Sequence, residues 1–538
     1  MASSQVASFM SEVPFLKETS RTAGRDALRK NINAAIALSS AVRSTLGPSG
    51  QDKLLLDDEG RTMVTNDGVT ILESARVEHP IAKMLIQTSS TQDYIARDGT
   101  TSAVIITSEL LQNAWRLIEQ DIHPSVVIRG YASALKHCQS ELVSLSFSVD
   151  DELMLQATHT SLAGKTHKAV QEHIAKLAVL GSKAIQEDDG HVVKCDPTRV
   201  KVITQTGGKM TDSEIINGLV LAKKPLSPKL PKTLIDGKIA IIDGGIENES
   251  HGLDMKIQVE RVGVLEQFRQ QDLKQLHEKV DTLISLGVQV VACREGIDDS
   301  IHSRFIDAGI HAYRRVARSD LDVLAKATKA VLVHQIEDLT EGDLGSFSES
   351  TSVHEGGVEH WILKTDGGAA TFVARGSTDD VVAEVERCFA DALGVACQLV
   401  EEPALVAGGG ATHVALARSL RRYAETIPGR EQLSVNAYAD ALEVIPRILA
   451  ENAGLDPLDI LIQVVAHQTE HEKGHCFAFD IENKALSNMV EQGIVEPLRI
   501  SRQAMAGSTQ AAISVLRIDD ILWAKQEATI PDGLMDED

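Results

Sequence analysis

Asp98, Gly99, Thr100, Thr101 and Ser102 put a carboxylate, a glycine and three hydroxyls in consecutive positions. The residues that follow, Ala103, Ile106, Leu110, Ala114 and Leu117, keep the i, i+3, i+4 spacing of an amphipathic helix, so a helix is expected to begin at about Thr100. A helix start presents unpaired N–H groups and the positive end of the dipole, which suits phosphate. Gly99 lets an anion approach the main chain, and the hydroxyls add donors. Asp98 would repel phosphate, so its expected partner is a cation; a Mg²⁺ ion shared by one carboxylate and phosphate oxygens fits this arrangement. The same residues also read as an ordinary capped helix start.

Three further turns and one histidine pair carry possible chemistry. Leu46-Gly47-Pro48-Ser49-Gly50 and Ala407-Gly408-Gly409-Gly410-Ala411 offer exposed main-chain groups, and Thr65-Asn66-Asp67-Gly68 offers a second carboxylate. His467-Gln468-Thr469-Glu470-His471 matches an inverted zinc-protease pattern, with both imidazoles on one face if the segment is helical. Lys473-Gly474 ends that helix directly after His471, and no partner carboxylate in a helical context is evident downstream. A solvated helix end is the competing reading.

Helical patterns at Ala27 to Thr45 and His79 to Ala96, with short extended pieces at Lys53 to Leu56 and Met63 to Val64, position the first turns. From Asp150 to Asn217 a mixed region is expected, with a helix over Lys165 to Gln186 and strands near His191 to Lys194 and Lys201 to Gln205. After the proline-rich Lys224 to Pro231, strand-like runs at Lys238 to Ile242, Val288 to Ala292 and Ala330 to Val333 alternate with helices at Val264 to Leu286 and Leu321 to Thr328. Trp361 to Leu363 and Ala370 to Arg375 read as strands, Asp379 to Leu399 as a long helix, and the remainder as helices through Gln468, an extended Cys476 to Phe479 and a last helix from Ser501 to Leu516. The first and last quarters share a helical texture, so the α/β section reads as an insertion.

A chain of 538 residues should form about three domains. Hydrophobic residues make up 43% and charged residues 24%, an ordinary globular balance, while 3% aromatics demand an aliphatic core. The net charge of −24 argues against nucleic acid or an anionic membrane as partner. The six cysteines, Cys138, Cys195, Cys293, Cys388, Cys397 and Cys476, form no CxxC pair and read as reduced thiols of a cytoplasmic protein. No signal peptide or stretch of bilayer length is evident.

Taken in order, T-L-G-P at 45–48, T-N-D-G-V-T-I-L at 65–72, E-H-P-I-A-K-M at 78–84, D-G-T-T at 98–101, G-G-G-A at 408–411, L-A-E-N-A-G-L-D-P at 449–457 and G-I-V-E-P-L-R at 493–499 resemble the group II chaperonins. These are the archaeal thermosome and the eukaryotic cytosolic chaperonin; the likeness runs from about Arg25 to Lys525 and is closest to the archaeal branch.

The resemblance implies an ATP-driven folding chaperone in a double ring of identical or paralogous subunits, acting on non-native proteins. It implies a multidomain α and α/β fold: a helical equatorial domain (1–148 and 404–538), a small intermediate domain (149–217 and 370–403) and an inserted α/β apical domain (218–369). A helical protrusion, the built-in lid, would occupy Ile246 to Phe268, with Met255, Ile257, Val259, Val262, Val264, Leu265 and Phe268 as apolar contacts.

By the same resemblance Leu46 and Gly47 border the nucleotide, Asp98 holds Mg²⁺, and Gly99, Thr100, Thr101 and Ser102 cradle the phosphates. Gly409 lets the main chain close on the nucleotide, Ala478, Phe479 and Asp480 lie by the base, and Glu496 takes the ribose hydroxyls. Asp391 is the hydrolytic carboxylate with Asp67 as companion, and Lys165 matches a loop lysine that senses the γ-phosphate, against a plain reading as a solvated lysine.

Three positions depart from the pattern: Arg97 stands where the family has glycine, Ser49 where it has lysine, and Ala478-Phe479-Asp480 where it has G-V-N. If Arg97 must adopt a positive φ, it carries on the order of 1 kcal/mol of strain. A subunit that binds nucleotide and hydrolyses it weakly is therefore one alternative, and a zinc hydrolase using His467 and His471 is a remote one.

Overall fold

The computed structural model describes residues 19–56, 62–75, 77–188, 190, 193–247, 264–355, 358–365, 368–471 and 473–524. Its contacts divide the chain into two compact units, one of residues 1–147, 406–494 and 498–538, the other of 148–405 and 495–497. We refer to them as the terminal and the central unit.

The terminal unit is built around the helix Thr100–Glu119, which buries fourteen of its 20 residues and so needs protein on nearly every side. The helix Leu498–Leu516 covers one face, where Ser508 Oγ donates to the carbonyl of Ala103 at 2.8 Å. The helices Arg25–Arg43 and Glu431–Leu442 cover others, and Asn113 Nδ2 donates to Ala437 O at 3.1 Å. Proline opens three helices of this unit, Pro80–Ala96, Pro124–Leu145 and Pro457–Glu470, where its missing N–H costs nothing. The strand Thr19–Ala23 pairs antiparallel with Asp520–Ala524, joining the two ends of the described chain.

Within the central unit, a three-stranded sheet places Ala370–Gly376 between Val200–Thr206 (parallel) and Glu214–Asn217 (antiparallel). The helices Asp151–Ser161, Lys168–Ala184 and Asp379–Glu401 share a core with it, in which Phe372 and Phe389 stack 3.6 Å apart.

A separate seven-stranded sheet runs in the order His311–Tyr313, Val288–Cys293, Thr233–Ile242, Gly345–Glu355, Val358–Lys364, Leu219–Leu221, with Leu332–Val333 also pairing to Thr233–Ile242. Its first half is parallel and its second antiparallel, so the strict strand–helix alternation expected here holds for half the sheet. The strand Gly345–Glu355 escaped the sequence reading because its run of serine, threonine and glutamate shows little apolar alternation. Its inward anchors are Phe347 and Ser350, the latter accepting from the buried Trp361 indole at 3.0 Å.

The expected protrusion falls largely on residues 248–263, outside the described residues. At its start, Ile246 is buried and bridges Ile297.

Candidate functional site

The helix Pro80–Ala96 ends on Arg97, whose φ of 53° and ψ of 4° are left-handed, and its N–H donates to Asp93 O at 2.8 Å. Arg97 therefore holds a conformation that a glycine takes without cost. Gly99 follows with φ 77°, and a Cβ there would lie 2.8 Å from Ile500 Cγ2 and 3.1 Å from the Gln92 amide. Both dihedral and space thus require glycine. Asp98 accepts the Gly99 N–H on Oδ1 at 2.7 Å, and the helix Thr100–Glu119 starts immediately, with Thr100 and Thr101 buried and Ser102 half-buried. Its first N–H groups have no carbonyl one turn earlier to receive them.

Gln92, which the sequence reading missed, organises this turn. Its buried Nε2 donates to Asp98 O at 2.8 Å and to Ile500 O at 3.3 Å, so one amide ties the turn to the start of the last helix. No local pattern announces a contact across 408 residues.

Asp67 is brought to the same place. It caps the helix Gly68–Ser74, Oδ2 accepting from Thr70 N at 2.9 Å and Thr70 Oγ1 at 2.7 Å. The adjoining Gly68 packs so closely on the Thr100 helix that a Cβ would meet Thr101 Oγ1 at 2.4 Å and Thr100 Oγ1 at 3.2 Å. The two carboxylate turns therefore flank one helix start.

The glycine turns meet beside a narrow apolar cleft lined among others by Gly409, Leu449, Ile460, Ala478, Phe479 and Ile481. Gly409 has φ 62°, and a Cβ there would stand 2.9 Å from Met489 Sδ. Gly47, at φ 85°, would collide with Leu449, and Asn452 Nδ2 pins the turn by donating to Leu46 O at 2.9 Å and Arg43 O at 3.2 Å. Such a slot suits a flat apolar ring.

Asp480 is not among the cleft residues: its buried carboxylate closes the next turn, where it accepts from Glu482 N, Asn483 N and Asn483 Nδ2 at 2.9, 3.1 and 2.6 Å. Glu496 sits half-buried on the strand Val495–Pro497, which is grouped with the central unit.

In the central unit, Lys165 occupies the turn after the helix Asp151–Ser161, and Asp391 lies on the helix Asp379–Glu401. Lys165 Nζ donates to Asp391 Oδ2 at 2.6 Å, the side chains being 17% and 22% exposed. The reading of Lys165 as a solvated lysine is thereby corrected: the charge is drawn inward by a partner 226 residues away.

Among the described residues the histidine pair gathers no ligand set for a metal. Its rings stand 4.2 Å apart and both pack on Phe477, with His471 already outside the helix as its C-cap. Among the described residues no group of three or more His, Cys, Asp or Glu side chains could hold a metal ion, so the zinc-hydrolase reading is not favoured. Among the described residues, too, no helix is long and apolar enough to cross a membrane.

A glycine-opened helix start flanked by carboxylates suits an anion, and the same unit carries an apolar slot. The chain belongs to the TCP-1/cpn60 chaperonin family, whose model matches residues 38–526. It is 41% identical over 516 residues to a thermosome subunit of Pyrococcus horikoshii, covering 94% of this chain and 93% of that one. Identity is 42% over 511 residues to a thermosome subunit of Methanocaldococcus jannaschii (94% of each chain) and 40% over 519 residues to a thermosome subunit beta of Thermoplasma acidophilum (95% of each). The mixed helical and α/β content fits this family, and the protein is an ATP-dependent chaperonin subunit; neither the weakly hydrolysing subunit nor the zinc hydrolase is favoured.

Proposed function

We propose that the chain is an ATP-hydrolysing subunit of a cytoplasmic double-ring chaperonin, built with identical or paralogous neighbours, that encloses non-native proteins. The observation that carries this reading is the convergence of the Asp98 and Asp67 turns on the start of the helix Thr100–Glu119. In it, the terminal unit is the equatorial domain, and the two sheets of the central unit belong to the intermediate and apical domains, with the lid at Ile246 to Phe268.

The phosphates are taken by the N–H groups and hydroxyls of Gly99, Thr100, Thr101 and Ser102, and the base by the cleft at Gly409, Ala478 and Phe479. Leu46 and Gly47 border it, Glu496 takes the ribose hydroxyls, and Asp480 acts on the base side only by shaping its hairpin. The donor set fits a hard divalent cation, because a carboxylate and neighbouring hydroxyls are all oxygen ligands. Asp98 would hold Mg²⁺, which neutralises phosphate charge.

Asp391 orients the attacking water, with Asp67 as companion. Lys165 holds the Asp391 carboxylate in one rotamer until a phosphate competes for its ammonium, which is how the lysine reports the γ-phosphate.

The test is a pair of variants. Asp98→Ala should weaken Mg-ATP binding by calorimetry, whereas Asp391→Ala should keep binding and lower single-turnover γ-phosphate release by roughly 10²-fold or more. Equal loss of binding in both variants would refute the assignment.

A further inference from the structure

The nucleotide reading makes no use of the cysteines, and two of them are in contact. Cys195 ends the strand Val193–Cys195 of a hairpin with Gln186–Asp188, and Cys397 lies near the end of the helix Asp379–Glu401. Their sulfurs stand 2.9 Å apart across 202 residues of sequence, both 2% exposed. A disulfide needs its sulfurs at about 2.05 Å, so bond formation asks for an approach of about 0.9 Å. Cys138, Cys293 and Cys388 are buried and Cys476 is half-buried, and none has a second sulfur within hydrogen-bonding reach among the described residues.

Both thiols are enclosed, which shields them from bulky reagents. Cys195 Sγ also reaches Ser182 O at 3.5 Å, and the enclosing cluster includes Ala178, Ile185 and Leu393. The contact with Cys195 and burial, with Glu401 and Asp196 near by, push the Cys397 thiol well above its ordinary range, so little thiolate is present at neutral pH. The same enclosure would shield a disulfide from bulky thiol reductants once it had formed. A small neutral oxidant has the best access.

We propose that Cys195 and Cys397 are a redox modification site, a dithiol that hydrogen peroxide converts to an intramolecular disulfide. One sulfur attacks the O–O bond and becomes a sulfenic acid, and its proton leaves with the departing hydroxide as water. The second sulfur then displaces the sulfenic hydroxyl, which leaves as water with the second thiol proton. Two electrons pass from the thiols to the peroxide, which ends as two waters. The new bond ties the hairpin to the helix that also carries Asp391, six residues before Cys397. This inference stands apart from the nucleotide assignment.

The full chain, reduced and freed of reductant, is exposed to hydrogen peroxide and examined by intact mass and non-reducing peptide mapping. The expected result is a loss of two hydrogens, one linked peptide pair containing Cys195 and Cys397, a thermal midpoint raised by roughly 5 °C, and full reversal by dithiothreitol. Cys195→Ser and Cys397→Ser should each abolish the linked pair and the rise in midpoint. Oxygen addition without a link, or a link through Cys476, would overturn the proposal. Should a serine variant fail to fold, the wild-type peptide map decides by itself.

Discussion

Asp98 and Asp391 are both half-buried carboxylates, yet they are fixed by different means. Asp98 is held by the main chain: two left-handed residues flank it, Gly99 N–H binds its oxygen, and Gln92 clamps its carbonyl. Asp391 stands on an uninterrupted helix and accepts from the Lys165 ammonium group. The first arrangement depends on backbone shape and the second on charge, so each should be vulnerable to substitutions that the other would tolerate.

The sharpest break is expected on the backbone side. Gly99→Ala introduces a Cβ against Ile500 and Gln92 at a positive φ, which should lower stability by roughly 2–4 kcal/mol and abolish tight ATP binding. Urea unfolding together with calorimetric titration measures both. Unchanged stability would mean that the turn relaxes freely.

A charge substitution probes the other side. Lys165→Met leaves the Asp391 carboxylate without its ammonium partner and should cost about 1–3 kcal/mol. Adding Asp391→Asn should recover most of that loss in the same unfolding assay without restoring turnover. If the two costs simply add, the ion pair contributes no coupling.

Gln92→Met tests whether the buried amide positions Asp98. Two carbonyls lose their donor, for an expected cost of about 1–2 kcal/mol, and ATP affinity should fall while turnover at saturating ATP stays near the parent value. A drop in saturated turnover alone would place Gln92 elsewhere in the mechanism.

The smallest effect is expected at Arg97. Arg97→Gly relieves the left-handed strain but frees the unfolded chain, so the net gain should stay below about 1 kcal/mol. Turnover is expected to rise modestly with little change in affinity. Slower hydrolysis and weaker binding would make the guanidinium a phosphate ligand.

Much of this contrast was legible in the sequence because it rests on local signals. The start of the helix at Thr100 follows from apolar spacing, and the turn at Thr65 to Gly68 follows from its N-D-G residues. What could not be read are pairings between distant residues: Gln92 with Ile500, Asn452 with Leu46, Lys165 with Asp391. Each depends on tertiary packing and leaves no periodicity behind. Asp480, expected by the base, has its carboxylate closing the turn of its own hairpin, a bond that the resemblance alone does not reveal.

The pairing of Thr19–Ala23 with Asp520–Ala524 bears on how the molecule is made. Synthesis delivers residues 148–405 as one uninterrupted stretch, whose two sheets can close while the chain is still emerging from the ribosome. The helix Thr100–Glu119 has no such option, because the face that meets Ser508 waits for the segment Leu498–Leu516. Until translation is nearly complete, the early segments therefore lack the cover that the last helix supplies, so the terminal unit closes late.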